Sequence, residues 1–339
     1  MDVLSDILDS VHLSGAILGR AEFSSPWGVS SAGLTSPMFH IILSGNGFIT
    51  LEGDEPVPLG TGDLIMMPHG HIHYLQSDLS VPVVKFTDLM VGDPPRKPDI
   101  IRSGGNGAIT AIACGHLAFD RGEMHPLLAQ LPPLIHIRGG GSDTYEWLET
   151  TSQLISSELR AERMGTAALL DRLGGVLFIQ VVRAYVESLP SNQAGWLGAL
   201  RDLRIGGALE RIHEAPAHTW SIGNLASEVG MSRSSFASRF KSLVGETPMQ
   251  YLTRWRMHRA AHYLRAEGLG IHEVAGRVGY ESNATFSKAF KRYMGLAPAA
   301  YRNSRCNSPL DEIKAEVPTG DPHARQQGWA GPSPHPQSV

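Results

Sequence analysis

The sequence predicts a multidomain chain: an N-terminal all-β barrel, a helical linker, and an all-α domain with two helix-turn-helix units. Three observations carry this reading. Short apolar stretches broken by Gly, Pro, Asn and Asp run from about residue 15 to 137. From about Thr144 the apolar residues recur at helical spacing. Beyond Thr219 one pattern of residues occurs twice, offset by 49 or 50 positions.

The β reading rests on stretches such as residues 38–43 (MFHIIL), 48–51 (FITL) and 83–86 (VVKF). Many short strands with frequent turn signals predict a sandwich or barrel. The Pro- and Gly-rich residues 92–107 read as a long loop. Trp147, Leu148, Leu154, Ile155 and Leu159 fit one helix, and Leu169, Leu170, Leu173, Val176, Leu177, Val181 and Tyr185 a second. These two helices form either a linker with a dimer contact or a layer packed on the β domain. Residues 189–193 (LPSNQ) mark a break. The expected boundaries are 1–140 for the barrel, 141–192 for the linker, 193–302 for the helical domain and 303–339 for a disordered Pro-, Gly-, Ser- and Gln-rich tail.

The first copy of the repeat holds residues 225–232 (LASEVGMS), then Phe236, Phe240, Gly245, Pro248 and Tyr251. The second holds residues 274–282 (VAGRVGYES), then Phe286, Phe290, Gly295, Pro298 and Tyr301. Gly230 and Gly279 suit the left-handed conformation that stops a helix. Ser232 and Ser282 are placed to cap the next one. That helix buries two Phe at i,i+4 and turns a polar face outward. Such a helix fits the major groove of DNA and reads base edges, while Lys and Arg around it hold phosphates. Between the copies, residues 249–264 read as a helix with Arg254, Trp255, Arg256 and Arg259 that fixes the separation of the units. Two recognition helices on one chain can enter successive major grooves, about 34 Å apart.

Charge agrees. From Thr219 to Arg305 there are 13 Lys and Arg against 5 Asp and Glu, so this segment carries +8 in a chain whose net charge is −4. A basic module joined to an acidic remainder points to a polyanion at one end only. Two cysteines, Cys114 and Cys306, exclude a disulfide framework. No apolar run reaches membrane-spanning length and the N-terminus lacks the pattern of a signal peptide, so a cytoplasmic protein without membrane partners is expected.

Residues 197–302 resemble the DNA-binding domain of the AraC/XylS family of transcription regulators, whose C-terminal signature falls on residues 279–302. The resemblance implies seven helices, with recognition helices near 233–243 and 284–293. By position it implies base contacts from Ser234, Ser238, Asn283 and Lys288, with phosphate contacts from Arg233, Arg239, Lys241, Lys291 and Arg292. It further implies double-stranded DNA and RNA polymerase as partners, activation more often than repression, and a possible homodimer.

In the N-terminal half, Gly62, Pro68, Gly70 and His73 are spaced as in the second motif of the cupin barrel. The first cupin motif is degraded, with His40 its one ligand-type residue. The resemblance implies a sensor domain with a small-molecule effector in the barrel, lined by Trp27, His40 and His73. The alternative is a metal-dependent cupin enzyme with a helical appendage, using His40, His69, His71 and His73 as ligands. The sensor reading expects no catalytic residues and no cofactor. Some relatives of this type respond to oxidants through cysteine, which makes Cys114 a redox candidate; its apolar approach, residues 109–113, points instead to a buried structural thiol.

Overall fold

The computed structural model describes residues 3–10, 13–32, 34, 36–89, 100–119, 130–139, 145–161, 163–190, 195–265 and 267–303. Cys306 and nearly all of the expected tail lie outside the described residues.

Eleven strands make two sheets among the described residues. The six-stranded sheet runs β11 (Ile135–Ile137), β6 (Leu64–Met67), β3 (Met38–Ser44), β10 (Ile109–Phe119), β1 (Leu13–Ser24) and β9 (Ile100–Gly104). The five-stranded sheet runs β5 (Val57–Leu59), β4 (Gly47–Leu51), β7 (His73–Gln76), β2 (Gly28–Ser30) and β8 (Val84–Lys85). Pleat alternation sorts β3 into two faces. Met38 and Ile42 join the core between the sheets, with Phe23, Ile49, Ile65, Leu75, Ile112 and Cys114. Phe39 and Ile41 point the other way, with Leu64, Met66, Ala113 and Leu117. Both faces are covered, which is why residues 38–43 read as an unbroken apolar run rather than an alternating one. Gly115 is required by this packing: a Cβ there would stand 2.2 Å from the Phe39 ring.

The outer face of the six-stranded sheet is covered by helices α3 (Glu146–Ala161) and α4 (Thr166–Ser188). Helix α4 lies along β1 and reaches β10 and β11, while α3 crosses β3. The expected linker helices are therefore a layer of the barrel half. Ile155, Leu159, Leu170, Leu177, Phe178 and Val181 are buried in it, whereas Leu154, Leu169 and Val176 remain exposed.

Eight helices follow among the described residues: α5 (Trp196–Ala199), α6 (Leu203–Glu214), α7 (Ile222–Glu228), α8 (Arg233–Val244), α9 (Pro248–Arg265), α10 (Ile271–Arg277), α11 (Asn283–Met294) and α12 (Pro298–Asn303). The one beyond the expected seven is the single turn α5. Helix α9 is the spine. Its N-terminal half buries Tyr251, Leu252 and Trp255 with the first helix-turn-helix unit, and its C-terminal half buries Met257, Ala260, Ala261 and Leu264 with the second. A helix of 18 residues is about 27 Å long. The second unit has its own core, but the core of the first is continuous with the outer face of the barrel sheet.

Three features depart from the sequence reading. Residues 100–104, expected in a loop, form β9 and pair in parallel with β1. The stretch 83–86 keeps only Val84–Lys85 as strand, and Phe86 starts a short helix, α2 (Phe86–Leu89). A helix not foreseen, α1 (Val3–Ser10), buries Val3 and Ile7 and packs on α6 and α9 of the helical half.

Candidate nucleic-acid interface and barrel cavity

The two helix-turn-helix units are built from the same parts. Gly230 and Gly279 take φ of 62° and 79° and end α7 and α10. The next amides, of Met231 and Tyr280, return to the carbonyls of Ala226 and Ala275 at 2.9 and 2.8 Å. Ser232 and Ser282 then cap α8 and α11, their hydroxyl oxygens accepting from the amides of Ser235 and Thr285. Inside each unit two fully buried Phe pack 5.6 Å apart, Phe236 with Phe240 and Phe286 with Phe290. Tyr251 and Tyr301 close the stacks edge-on against Phe240 and Phe290.

Burying the Phe pairs turns the opposite face of each helix outward. Arg233, Ser234, Ser238, Arg239 and Lys241 are exposed on α8, and Asn283, Lys288, Lys291 and Arg292 on α11. All nine residues expected to face DNA are thus on the surface. They are not equivalent. Arg239 is held by Asp202, the N-cap of α6, with Nε 3.0 Å from Oδ2. The spine arginines are also engaged. Arg254 donates to Glu246 at 3.0 Å, Arg256 to the Pro216 carbonyl at 2.7 Å, and Arg259 to the Tyr263 hydroxyl at 2.8 Å. A residue that sequence reasoning missed is His272, exposed on α10, whose Nδ1 is 3.3 Å from Asn283 Oδ1. Nothing in an 11-residue separation signals that pairing.

Between the sheets lies a cavity lined by His40, His73, Cys114, Ser30 and Ser31 and otherwise by apolar side chains, Phe23, Leu34, Met38 and Phe86 among them. Its volume is about 20 Å³, room for little more than one water molecule. Trp27, expected in the lining, is outside it and stacks behind Phe23 at 5.1 Å. The reason is geometric: Trp27 precedes β2 and is spent filling the barrel core.

The polar lining is a chain of hydrogen bonds whose direction follows from its end. His73 Nδ1 is 3.1 Å from the His71 carbonyl, which only accepts, so Nδ1 carries the proton. Burial lowers the His73 pKa to about 4 and holds His40 well below the ordinary value, with the His73 charge adding to the effect on His40. Both rings are therefore neutral at pH 7. His73 Nε2 then accepts from His40 Nε2 at 2.8 Å, and His40 Nδ1 accepts from the Cys114 thiol at 3.2 Å. Burial pushes Cys114 up to about 12. These are the surroundings of a structural thiol rather than of a reactive one.

The three histidines at 69, 71 and 73 do not converge on one point: the His69 and His71 rings meet edge-on at 5.5 Å, away from His73. His69 donates through Nε2 to the Leu131 carbonyl at 2.8 Å, His71 is exposed, and only His73 faces inward. The described residues contain no group of three or more His, Cys, Asp or Glu that could hold a metal ion. The metal-ligand set of His40, His69, His71 and His73 is thus not assembled: His40 and His73 meet each other, and the other two point elsewhere. No helix among the described residues is long and apolar enough to cross a membrane.

Comparison with known proteins matches both halves. A family described as cupin matches residues 2–187, and a helix-turn-helix domain family matches residues 225–304. The chain is 32% identical to the HTH-type transcriptional regulator AlkR of Acinetobacter baylyi over 307 residues, 89% of this chain and 99% of that protein. It is 32% identical over 309 residues to a protein of Streptomyces antibioticus described as an AraC-like transcription regulator, covering 89% of this chain and 98% of that one. Among solved structures, the DNA-binding domain of AdpA, a global transcriptional factor in complex with a target DNA, is 31% identical. That match covers 34% of this chain and 96% of the other, with a TM-score of 0.28.

Proposed function

The chain belongs to the AraC family of helix-turn-helix transcription regulators with an N-terminal cupin domain, and from that premise we propose that it is an effector-controlled activator reading one asymmetric DNA site with both units. The observation that carries this is the shared spine. One helix buries half its length in each unit, so α8 and α11 are held on one rigid body. Ser234, Ser238, Asn283 and Lys288 are the proposed base readers. Arg233, Lys241, Lys291 and Arg292 are the proposed phosphate contacts, with Arg239 reaching phosphate only by leaving Asp202. RNA polymerase is the proposed protein partner.

The effector is proposed to enter at His40 and His73. A cavity of about 20 Å³ cannot take a ligand larger than water without moving its lining, and that displacement is what a sensor needs. The outer layer of the same barrel is continuous with the core of the first helix-turn-helix unit, which gives the displacement somewhere to go. The exposed Leu154, Leu169 and Val176 favour a second copy packing on this layer.

Selection of binding sites from random duplex DNA with the full chain tests the DNA reading. Two short conserved blocks about a helical turn apart are expected. Asn283→Ala or Lys288→Ala should each weaken the selected site by roughly 1–3 kcal/mol. A folded protein that enriches no site would remove the proposal.

A further inference from the structure

The positive charge of the helical half is unevenly shared. The first unit, 202–247, holds five Lys and Arg and five Asp and Glu, so it is neutral. The second, 268–303, holds five against two, and the spine α9 between them carries four Arg and no carboxylate. The recognition helices differ in the same sense. On α8, Arg239 is held by Asp202, which leaves Arg233 and Lys241 for phosphate. On α11, Lys288, Lys291 and Arg292 are all exposed, and the carboxylates of Glu267 and Glu273 are bonded at 3.1 Å to Arg277 of α10 instead. Physiological salt screens charge over about 8 Å, far less than the roughly 34 Å expected between two recognition helices. The carboxylates of the first unit therefore weaken its own hold on phosphate and leave that of the second untouched.

The neutral unit is also the one fastened to the barrel half. Arg201, ahead of α6, donates to the carbonyls of Glu187 and Leu189 at the end of α4, to Glu187 at 3.2 Å. Asp6 of α1 meets His213 of α6 at 3.5 Å. Val3 and Ile7 are buried in the core that the first unit shares with the outer face of the barrel sheet. The core of the second unit, among the described residues, is drawn from 257–301 alone. A displacement in the barrel thus reaches the first unit through packed side chains, and the second only through α9.

We propose that the two units divide the work: the second is an electrostatic anchor that holds DNA whatever the state of the barrel, and the first is the unit whose engagement the barrel half sets. The proposal rests on the DNA reading above. It does not require the units to move relative to each other on α9. The barrel half sits against the first unit only, so its placement decides whether that unit closes on the groove while the second is already bound.

The test uses the full chain and three duplexes: the two-block site selected from random DNA, and two derivatives in which one block or the other is scrambled. Lys288→Ala, on the exposed face of α11, identifies the block that the second unit reads. At about 0.15 M salt the duplex keeping only that block should bind within about tenfold of the full site, and the duplex keeping only the other block about another tenfold more weakly. The affinity of the second-unit duplex should also fall more steeply with salt, by about one phosphate contact or more in the log–log slope. Arg201→Ala and Asp6→Asn, which cut the ties to the barrel half, should each change affinity for the two-block site about threefold or more in either direction. Both should leave the second-unit duplex unaffected, which also shows that the variants are folded. Equal affinity and equal salt slopes for the two single-block duplexes would overturn the proposal. So would an effect of Arg201→Ala and Asp6→Asn that is the same on every duplex, or no effect on any. A folded wild type that selects no site would instead sink the DNA reading itself.

Discussion

The carboxylate of Asp6 stands 3.5 Å from Nδ1 of His213, joining the first helix of the barrel half to α6 of the first helix-turn-helix unit. His213 is sandwiched further. Its Nε2 meets the Tyr251 hydroxyl at 2.7 Å, and its ring stacks on Trp255 at 3.8 Å. Tyr251 in turn accepts from Trp196 Nε1 at 3.2 Å. Around this polar knot Val3 and Ile7 are buried. Residues 3–10 are therefore part of the core of the DNA-binding half, although the chain assigns them to the other end.

The first prediction follows from that placement. Ile7→Ala should destabilise the protein by about 2–4 kcal/mol, as for other large-to-small core changes. The loosening should appear in the helical half, as faster amide hydrogen exchange in 203–214 and 248–265. Faster exchange confined to the barrel strands would show that α1 belongs energetically to the sensor alone.

The second concerns the thiol. In the folded protein Cys114 should resist alkylation by iodoacetamide, since burial holds it near 12 and it donates to His40. It should label once urea unfolds the chain. Cys114→Ala leaves His40 Nδ1 without its donor and should cost about 1–3 kcal/mol. Cys114→Ser keeps a donor and should cost less. Fast alkylation of Cys114 in the native protein, mapped by mass spectrometry, would restore the redox reading.

How much of this was legible in the sequence depends on where each signal is stored. The helix-turn-helix units were readable residue by residue, because a left-handed glycine, a serine cap and a Phe pair are each local requirements, and the repeat stated them twice. The inward position of His73 was readable from the Gly62–Pro68–Gly70–His73 spacing. The pairing of His40 with Cys114 was not, because it is set by the antiparallel register of β3 and β10 across 74 residues. Helix α1 was missed for a similar reason. Four of its eight residues are apolar, but two turns are too short for a periodicity to stand out, and their partners lie some 200 residues away. Trp27 misled because a large aromatic near a predicted barrel fits a lining position and a filler position equally well.

The third prediction is a pH dependence. His40, His73 and His116 are kept neutral by burial, with His73 and His116 lowered to about 4. His213 is lowered by burial against the opposing pull of Asp6. A histidine whose folded pKa lies below its unfolded value gives stability that is fully present above about 6.5 and is lost as pH falls toward the folded value. Burial also lowers His258 to about 4, and each of the three at that value accounts for up to roughly 3 kcal/mol. Urea midpoints should hardly change from pH 8 to 7 and should fall steeply between about 6.5 and 4. His73→Gln, which removes one titrating group, should flatten that fall. Equal stability at pH 7 and 4.5 would show that these side chains are not buried neutral.

The last prediction compares the two turn glycines, which the repeat makes equivalent but their surroundings do not. Gly230 has φ of 62°, and a Cβ there would meet only the end of the Arg204 side chain, whose Nη1 lies 3.3 Å away and donates to the Val229 and Gly230 carbonyls. Gly279 has φ of 79°, and its Cβ would meet the backbone carbonyl oxygen of Ala217 at 2.7 Å. Gly230→Ala should cost about 1–2 kcal/mol, the strain of a left-handed alanine. Gly279→Ala must add a backbone clash that no rotamer relieves, so its thermal midpoint should fall further. The clash also moves residues 215–218 at the seam between the units, where Arg256 is anchored to Pro216 and His218. Affinity for a site spanning both units should therefore drop more than affinity for a half-site read by α8 alone. Equal costs for the two substitutions would mean that the seam yields freely, and that the units are less rigidly spaced than the shared helix α9 implies.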